Sequence, residues 1–111
     1  MTVVVNPKQF AIGDPAVVAE GDTAFVLKVG TVSGGPYTAS SATVQISSLT
    51  LNGTVYTGQM SALTWAPALA PFTTYFMVAE AQNAQGVSVN SPEASFSVAT
   101  APSAPVSLAL S

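Results

Sequence analysis

Apolar and polar residues alternate with a period of two over much of this chain, the spacing at which successive side chains fall on opposite faces of a strand. Thr23 to Val32 is the clearest case, with Phe25, Leu27 and Val29 on one face and Lys28 and Gly30 on the other. Thr43 to Leu51 repeats the pattern through Val44 and Ile46, slips at Ser47-Ser48, and resumes with Leu49 and Leu51. A slip of one residue is what a β-bulge produces. Asn52-Gly53 then separates Leu51 from Thr54-Val-Tyr56. Asn-Gly between alternating runs predicts a tight hairpin, because both turn positions need positive φ. Met60 to Ala66 sets Leu63 and Trp65 on one face and stops at Pro67. Tyr75 to Gln82 sets Tyr75, Met77, Ala79 and Ala81 on one face and Phe76, Val78 and Glu80 on the other. A last strand runs through Ala94, Phe96 and Val98, and Ala16-Val-Val-Ala19, closed by Glu20-Gly-Asp22, is a further short candidate.

Short alternating strands with turn signals between them, and no helical periodicity, predict an all-β chain folded as an antiparallel two-sheet β-sandwich. Its expected organisation is an extended N-terminal arm over residues 1–15, a sandwich domain over 16–100 and a Pro-rich C-terminal arm over 101–111. Pro7, Gly13 and Pro15 punctuate the first arm, where Val3-Val4-Val5 has the composition of a short strand. Pro102 and Pro105 keep the second arm out of any central strand. It continues into Val106-Ser-Leu-Ala-Leu110, whose alternation is that of a strand without a partner.

Composition narrows the chemistry. The chain of 111 residues has no Cys and no His. Disulfides, zinc, copper and haem sites, and the commonest general base, drop out together. Only 6% of residues are charged, against about 25% in an ordinary soluble domain. Two lysines in a chain of net charge −3 make no phosphate-binding or polybasic membrane patch. No apolar run reaches transmembrane length. Met1 to Lys8 lacks a basic start followed by a long apolar run, so the expectation is a chain that no signal peptide exports. So little surface charge gives weak protection against self-association: either much of the surface is covered in an assembly, or Ser, Thr, Asn and Gln supply the solubility.

The run Leu69-Ala-Pro-Phe-Thr-Thr-Tyr75, continued by Ala81, Asn83 and Gly86, resembles the fibronectin type III family. That family carries L-x-P-x-T-x-Y ahead of its sixth strand, and the resemblance covers about the last third of the chain. It implies an immunoglobulin/fibronectin III-like sandwich in which Leu69, Pro71, Thr73 and Tyr75 build a tyrosine corner, with the hydroxyl bonding the turn backbone. Such sandwiches recur as accessory domains on bacteriophage heads and tails. The resemblance therefore implies a virion protein, made in the host cytoplasm, that decorates or cements a capsid or tail. The family's Arg-Gly-Asp loop is absent here.

Catalytic readings find little to work with. Serine has no His and no G-x-S-x-G elbow, and Ser33-Gly-Gly-Pro36 opens no helix and carries no Lys. Glu20 and Asp22 belong to a turn, and turn chemistry accounts for them more simply than catalysis does, or than calcium held with Asp14. Asn52-Gly-Thr54 has the form of a glycosylation sequon but reads first as the hairpin turn. The expectation is a non-enzymatic protein without cofactor or metal, whose partners are other protein subunits, including copies of itself. Contact is expected at Val3, Val4, Val5 and Phe10 in the first arm, at Phe76 and Val78 on the face opposite Tyr75, and at Val106, Leu108 and Leu110 in the second arm. The alternative is a surface module for carbohydrate or protein, with Tyr37, Tyr56 and Trp65 stacking on sugar rings.

Overall fold

The strongest alternating run becomes the centre of the molecule. The computed structural model describes residues 3–111, and in it Phe25, Leu27 and Val29 are the largest fully buried side chains. In chain order the strands are β1 (Val3–Val5), β2 (Gln9–Gly13), β3 (Ala24–Gly30), β4 (Ala39–Ser41), β5 (Val44–Gln45), β6 (Thr50–Asn52), β7 (Val55–Gln59), β8 (Trp65–Ala66), β9 (Thr73–Asn83), β10 (Gly86–Val87) and β11 (Ala94–Val98). One helical turn, α1 (Val17–Glu20), lies between β2 and β3. The larger sheet runs β1-β11-β9-β3-β4-β8, with β10 added to β9 and β5 to β3, and the smaller sheet runs β2-β7-β6. Pairing is antiparallel except that β1 lies parallel to β11, with Val3, Val4 and Val5 opposite Ser95, Phe96 and Ser97.

The register of β3 against β9 sets Phe25, Leu27 and Val29 beside Ala81, Ala79 and Met77, so these six share the inner face. Two clusters form the core, the first joining the two sheets and the second drawn from strands of the larger sheet and the turns beside them. In one, Phe25 meets Tyr56 edge to face at 5.8 Å, with Val17 of α1 and half-buried Ile12, Ile46 and Leu49 around them. In the other, Tyr75 and Phe96 stack at 5.7 Å with Val29 and Ala39, and Met60, Trp65, Leu69, Met77 and Val98 pack against them. Burying each large side chain stabilises by about 1.5–3 kcal/mol, and aromatic pairs in these orientations add about 0.5–1.5 kcal/mol.

Several predicted strands resolve differently. Ala16 to Ala19 is not a strand: Val17–Glu20 coil into α1, which Gly21 closes in the left-handed conformation with its N–H on the Val18 carbonyl. Val17 faces the core while Val18 is exposed, a split that a short apolar run does not announce. The slip at Ser47-Ser48 is not a bulge within one strand. A 3₁₀ turn at Ile46–Ser48 carries the chain from β5 in the larger sheet to β6 in the smaller one. The hairpin at Asn52-Gly53 forms, but Asn52 pairs with Val55, so Gly53 and Thr54 are its two turn residues. Gly53 alone takes positive φ, the sign pattern of a type II′ turn with glycine first. Met60–Ala66 begins as a 3₁₀ turn, Met60–Ala62, and only Trp65–Ala66 at its end form a strand, β8.

The two arms differ. Of the predicted N-terminal arm, β1 and β2 each join a sheet; residues 1 and 2 lie outside the described residues. Residues 99–111 form no strand and are exposed throughout. They stretch the molecule to 72 × 27 × 25 Å with a radius of gyration of 17.0 Å, against about 13 Å for a compact chain of this length.

Candidate interaction surface

The sequence Leu69 to Tyr75 folds back on itself ahead of β9. The Tyr75 ring stacks on Phe96, and its hydroxyl accepts the Ala70 N–H at 2.7 Å, while the Thr73 hydroxyl donates to the Pro71 carbonyl at 3.0 Å. Phe72, between them, has φ of +56° and is 71% exposed. An aromatic residue in this left-handed region is strained, and this one has no burial to offset the strain. It is an exposed apolar residue that alternation gives no means of finding, because it belongs to a turn.

The edges of the larger sheet are treated unequally. Past Met77, β9 loses β11 as its neighbour, and two serines take over. The Ser91 and Ser88 hydroxyls accept the Ala79 and Ala81 N–H groups at 2.9 Å each, and the Ser91 and Ser88 N–H groups donate to the same residues' carbonyls. That edge is closed to an incoming strand. β1 has β11 on one side and no described neighbour on the other, and its three valines are all exposed. β2 is likewise an outer strand, paired to β7 alone. Unguarded apolar edges of this kind are where other chains pair.

Between β2 and the inner face of the larger sheet lies a cleft of about 380 Å³. All five residues of β2 line it, outward Gln9, Ala11 and Gly13 as well as inward Phe10 and Ile12, so it follows the strand's edge. Leu27, Met77, Ala79, Phe96 and Val4 form its other wall, and no lining residue is charged. The cleft exists because the three-stranded sheet is too narrow to cover the wider one. Inner-face Met77, Ala79 and Ile12 are left half-buried.

At the end where β11 exits, Asn6 ties β1 to the chain beyond it. Its side chain donates to the Ala99 carbonyl at 2.9 Å and accepts the Ala99 N–H at 2.8 Å. Beyond this clamp Val106, Leu108 and Leu110 are 103%, 88% and 92% exposed, touching nothing that would bury them.

Other expected contact residues require correction. Phe10 is buried, pointing inward from β2 over the cleft. Phe76 and Val78 do face away from Tyr75, but they form no open patch: Val78 is buried and Phe76 half-buried. The loop after β3 passes over Gly30, beside Phe76. The Pro36 carbonyl oxygen lies where a Cβ on Gly30 would be, and Gly30 pairs with Phe76. Glu93, just before β11, holds the same loop by accepting from the Ser33 hydroxyl at 2.7 Å, the Gly34 N–H at 2.8 Å and the Tyr37 hydroxyl at 2.6 Å. These bonds, the Ser33 hydroxyl foremost and then Tyr37 and Gly34, hold the Glu93 carboxyl below its ordinary value, and the bond to Glu93 raises the Tyr37 phenol. Beside the loop Lys28 and Glu80 pair at 3.0 Å. The rings of the carbohydrate alternative are not presented either. Tyr56 is buried against Phe25, Trp65 packs on the core, and half-buried Tyr37 is tied to Glu93.

Asp14, Glu20 and Asp22 meet beside α1, each offering a carboxylate oxygen within 4.8 Å of the others. Asp14 accepts the Ala16 N–H, a turn bond. The negative charge of Asp22, then burial and Asp14, raise the pKa of exposed Glu20. No family model matches the chain, and no curated protein or solved structure matches it either.

Proposed function

We propose that this protein is a non-enzymatic structural subunit whose work is to be built into a repeating assembly, as a decorating or cementing protein on a virion head or tail. One observation carries the reading: two unguarded strand edges, β1 and β2, stand on the same molecule as an exposed alternating apolar segment, 106–110. Burial of apolar area and strand-to-strand hydrogen bonds are the forces available to such a surface. With 6% charged residues, ion pairs contribute little to any contact it makes. The alternating run of β9, with its Tyr75 corner, agrees with a sandwich of immunoglobulin or fibronectin III type; the parallel pairing of β1 with β11 and the passage of the chain from β5 to β6 are the features by which that finer kinship is to be judged.

The test is light scattering on the full chain in low and in molar salt. Apolar association persists or strengthens as salt rises, because screening weakens charge contacts and leaves burial intact. An assembly that falls apart in molar salt contradicts the proposal.

A further inference from the structure

We infer that the cleft beside β2 is the receptor for segment 106–110 of a second copy of this chain, which adds to β2 as a fourth strand of the smaller sheet. The inference rests on the reading of the protein as an assembling subunit and names the contact that does the assembling.

Four features converge on it. The cleft follows the free edge of β2, so an entering strand finds unpaired backbone groups on one side and apolar side chains beneath it. Val106, Leu108 and Leu110 fall on one face of an extended segment, with Ser107 and Ala109 on the other. Placed against β2, the first three point at Met77, Ala79 and Phe96, and Ser107 returns to solvent. The lengths agree, since β2 has five residues bracketed by Lys8 and Asp14, which leaves an uncharged window as long as Val106–Leu110. Charge agrees as well: no residue from 94 to 111 is charged, and neither is any that lines the cleft. The contrast with β9 sharpens the point, because Ser88 and Ser91 close that edge while nothing described closes β2.

A second copy fits better than the chain's own segment. The Asn6 clamp sends the chain outward at Ala99, and Pro102 and Pro105 hold the connection extended. The cleft begins at Pro7, beside that clamp, and runs back to Pro92, Ala94 and Phe96 at the leading end of β11, against the direction in which the chain leaves. To reach it the chain would have to reverse within that stiff connection and pass the Asn6-Pro7-Lys8 link between the sheets. Contact between copies needs neither step. Each copy has one donor and one receptor, so the contact is heterologous and propagates or closes into a ring.

The chain has no cysteine, so introduced thiols report cleanly. One preparation carries Ala11→Cys, outward on β2, and another carries Ser107→Cys or Ala109→Cys; the two are mixed and treated with a short bis-maleimide. The expected product is a covalent pair between the two preparations, its yield cut about tenfold or more when Leu108→Asp asks a charge to enter the cleft. A Val18→Cys variant, exposed on α1, sets the background of random collision. Pairing no better than that background overturns the inference. So does a chain carrying both thiols that links only within itself, which would mean that its own segment folds back. Light scattering on the same samples separates the two levels of claim. A salt-resistant assembly without cross-linking removes strand donation alone, and a monomer under all conditions removes the assembling subunit with it.

Discussion

Tyr75 illustrates how much one residue can be asked to do. Its ring belongs to the inner cluster, and its hydroxyl is the partner of the Ala70 N–H, which the turn otherwise leaves without one. Tyr75→Phe keeps the ring and removes the partner, and is expected to cost about 1–3 kcal/mol in urea denaturation, since a donor left unpaired costs more than a bond is worth on average. No measurable loss would show that water replaces the hydroxyl. Gly30→Ala is a steric test of the loop beside Phe76. The Pro36 carbonyl blocks the added methyl, so the variant is expected to unfold at lower denaturant and to free the loop, read as faster amide exchange at Gly34. Two carboxylates respond oppositely to pH. Glu93 has its pKa lowered, so its contribution is present above the ordinary value of 4.5 and is lost as pH falls through the folded value. Glu20 has its pKa raised, so its contribution is present below 4.5 and is lost as pH rises through the folded value. Acid therefore is expected to loosen the loop at residues 33–37 while relaxing the repulsion beside α1. A shift in the Tyr37 ring signals, absent in Glu93→Gln, reports the first change.

At the scale of elements, β3 and β9 are expected to unfold last. Their inner-face residues include the most buried in the molecule, and Leu27→Ala is expected to cost about 2–5 kcal/mol. Amide exchange should be slowest in β3 and the Met77–Ala81 part of β9, and fastest in residues 99–111; rapid exchange in β3 would contradict the packing. These two strands were legible because each is long and each carries its one charged side chain, Lys28 or Glu80, on the face opposite the alternating inner residues. The resemblance at Leu69, Pro71, Thr73 and Tyr75 implies a hydroxyl bonded to the turn backbone, and the Tyr75 hydroxyl accepts the Ala70 N–H. Other features were not legible, for reasons that can be named. Val17 and Val18 look alike in a run of four residues, and only docking on Phe25 and Tyr56 decides that the run coils. A slip in phase at Ser47-Ser48 fits a bulge and a change of sheet equally well, because the two differ only in where the next strand pairs. Phe76 reads as an outward apolar residue, and a loop about forty residues earlier in the chain, anchored by Glu93, passes over Gly30 beside it. The cleft was invisible because it arises from the mismatch in width between two sheets, which no local pattern records.

For the whole molecule, the balance lies between a body that closes itself and three features that it leaves open. The loop held by Glu93 passes over Gly30 on the reverse face, and Ser88 and Ser91 close the edge of β9, whereas β1, β2 and residues 106–110 remain available. A chain with seven charged residues has little else with which to refuse or select a neighbour. Mutations in the extended segment should thus leave the fold alone and change association: Leu108→Asp is expected to keep the urea midpoint of the sandwich and abolish the larger species. The most direct measurement is light scattering of the full chain against Leu108→Asp, each in low and molar salt. The account predicts an assembly larger than one chain that survives molar salt and is lost in the variant. A wild-type chain that is monomeric at both salt concentrations would contradict it.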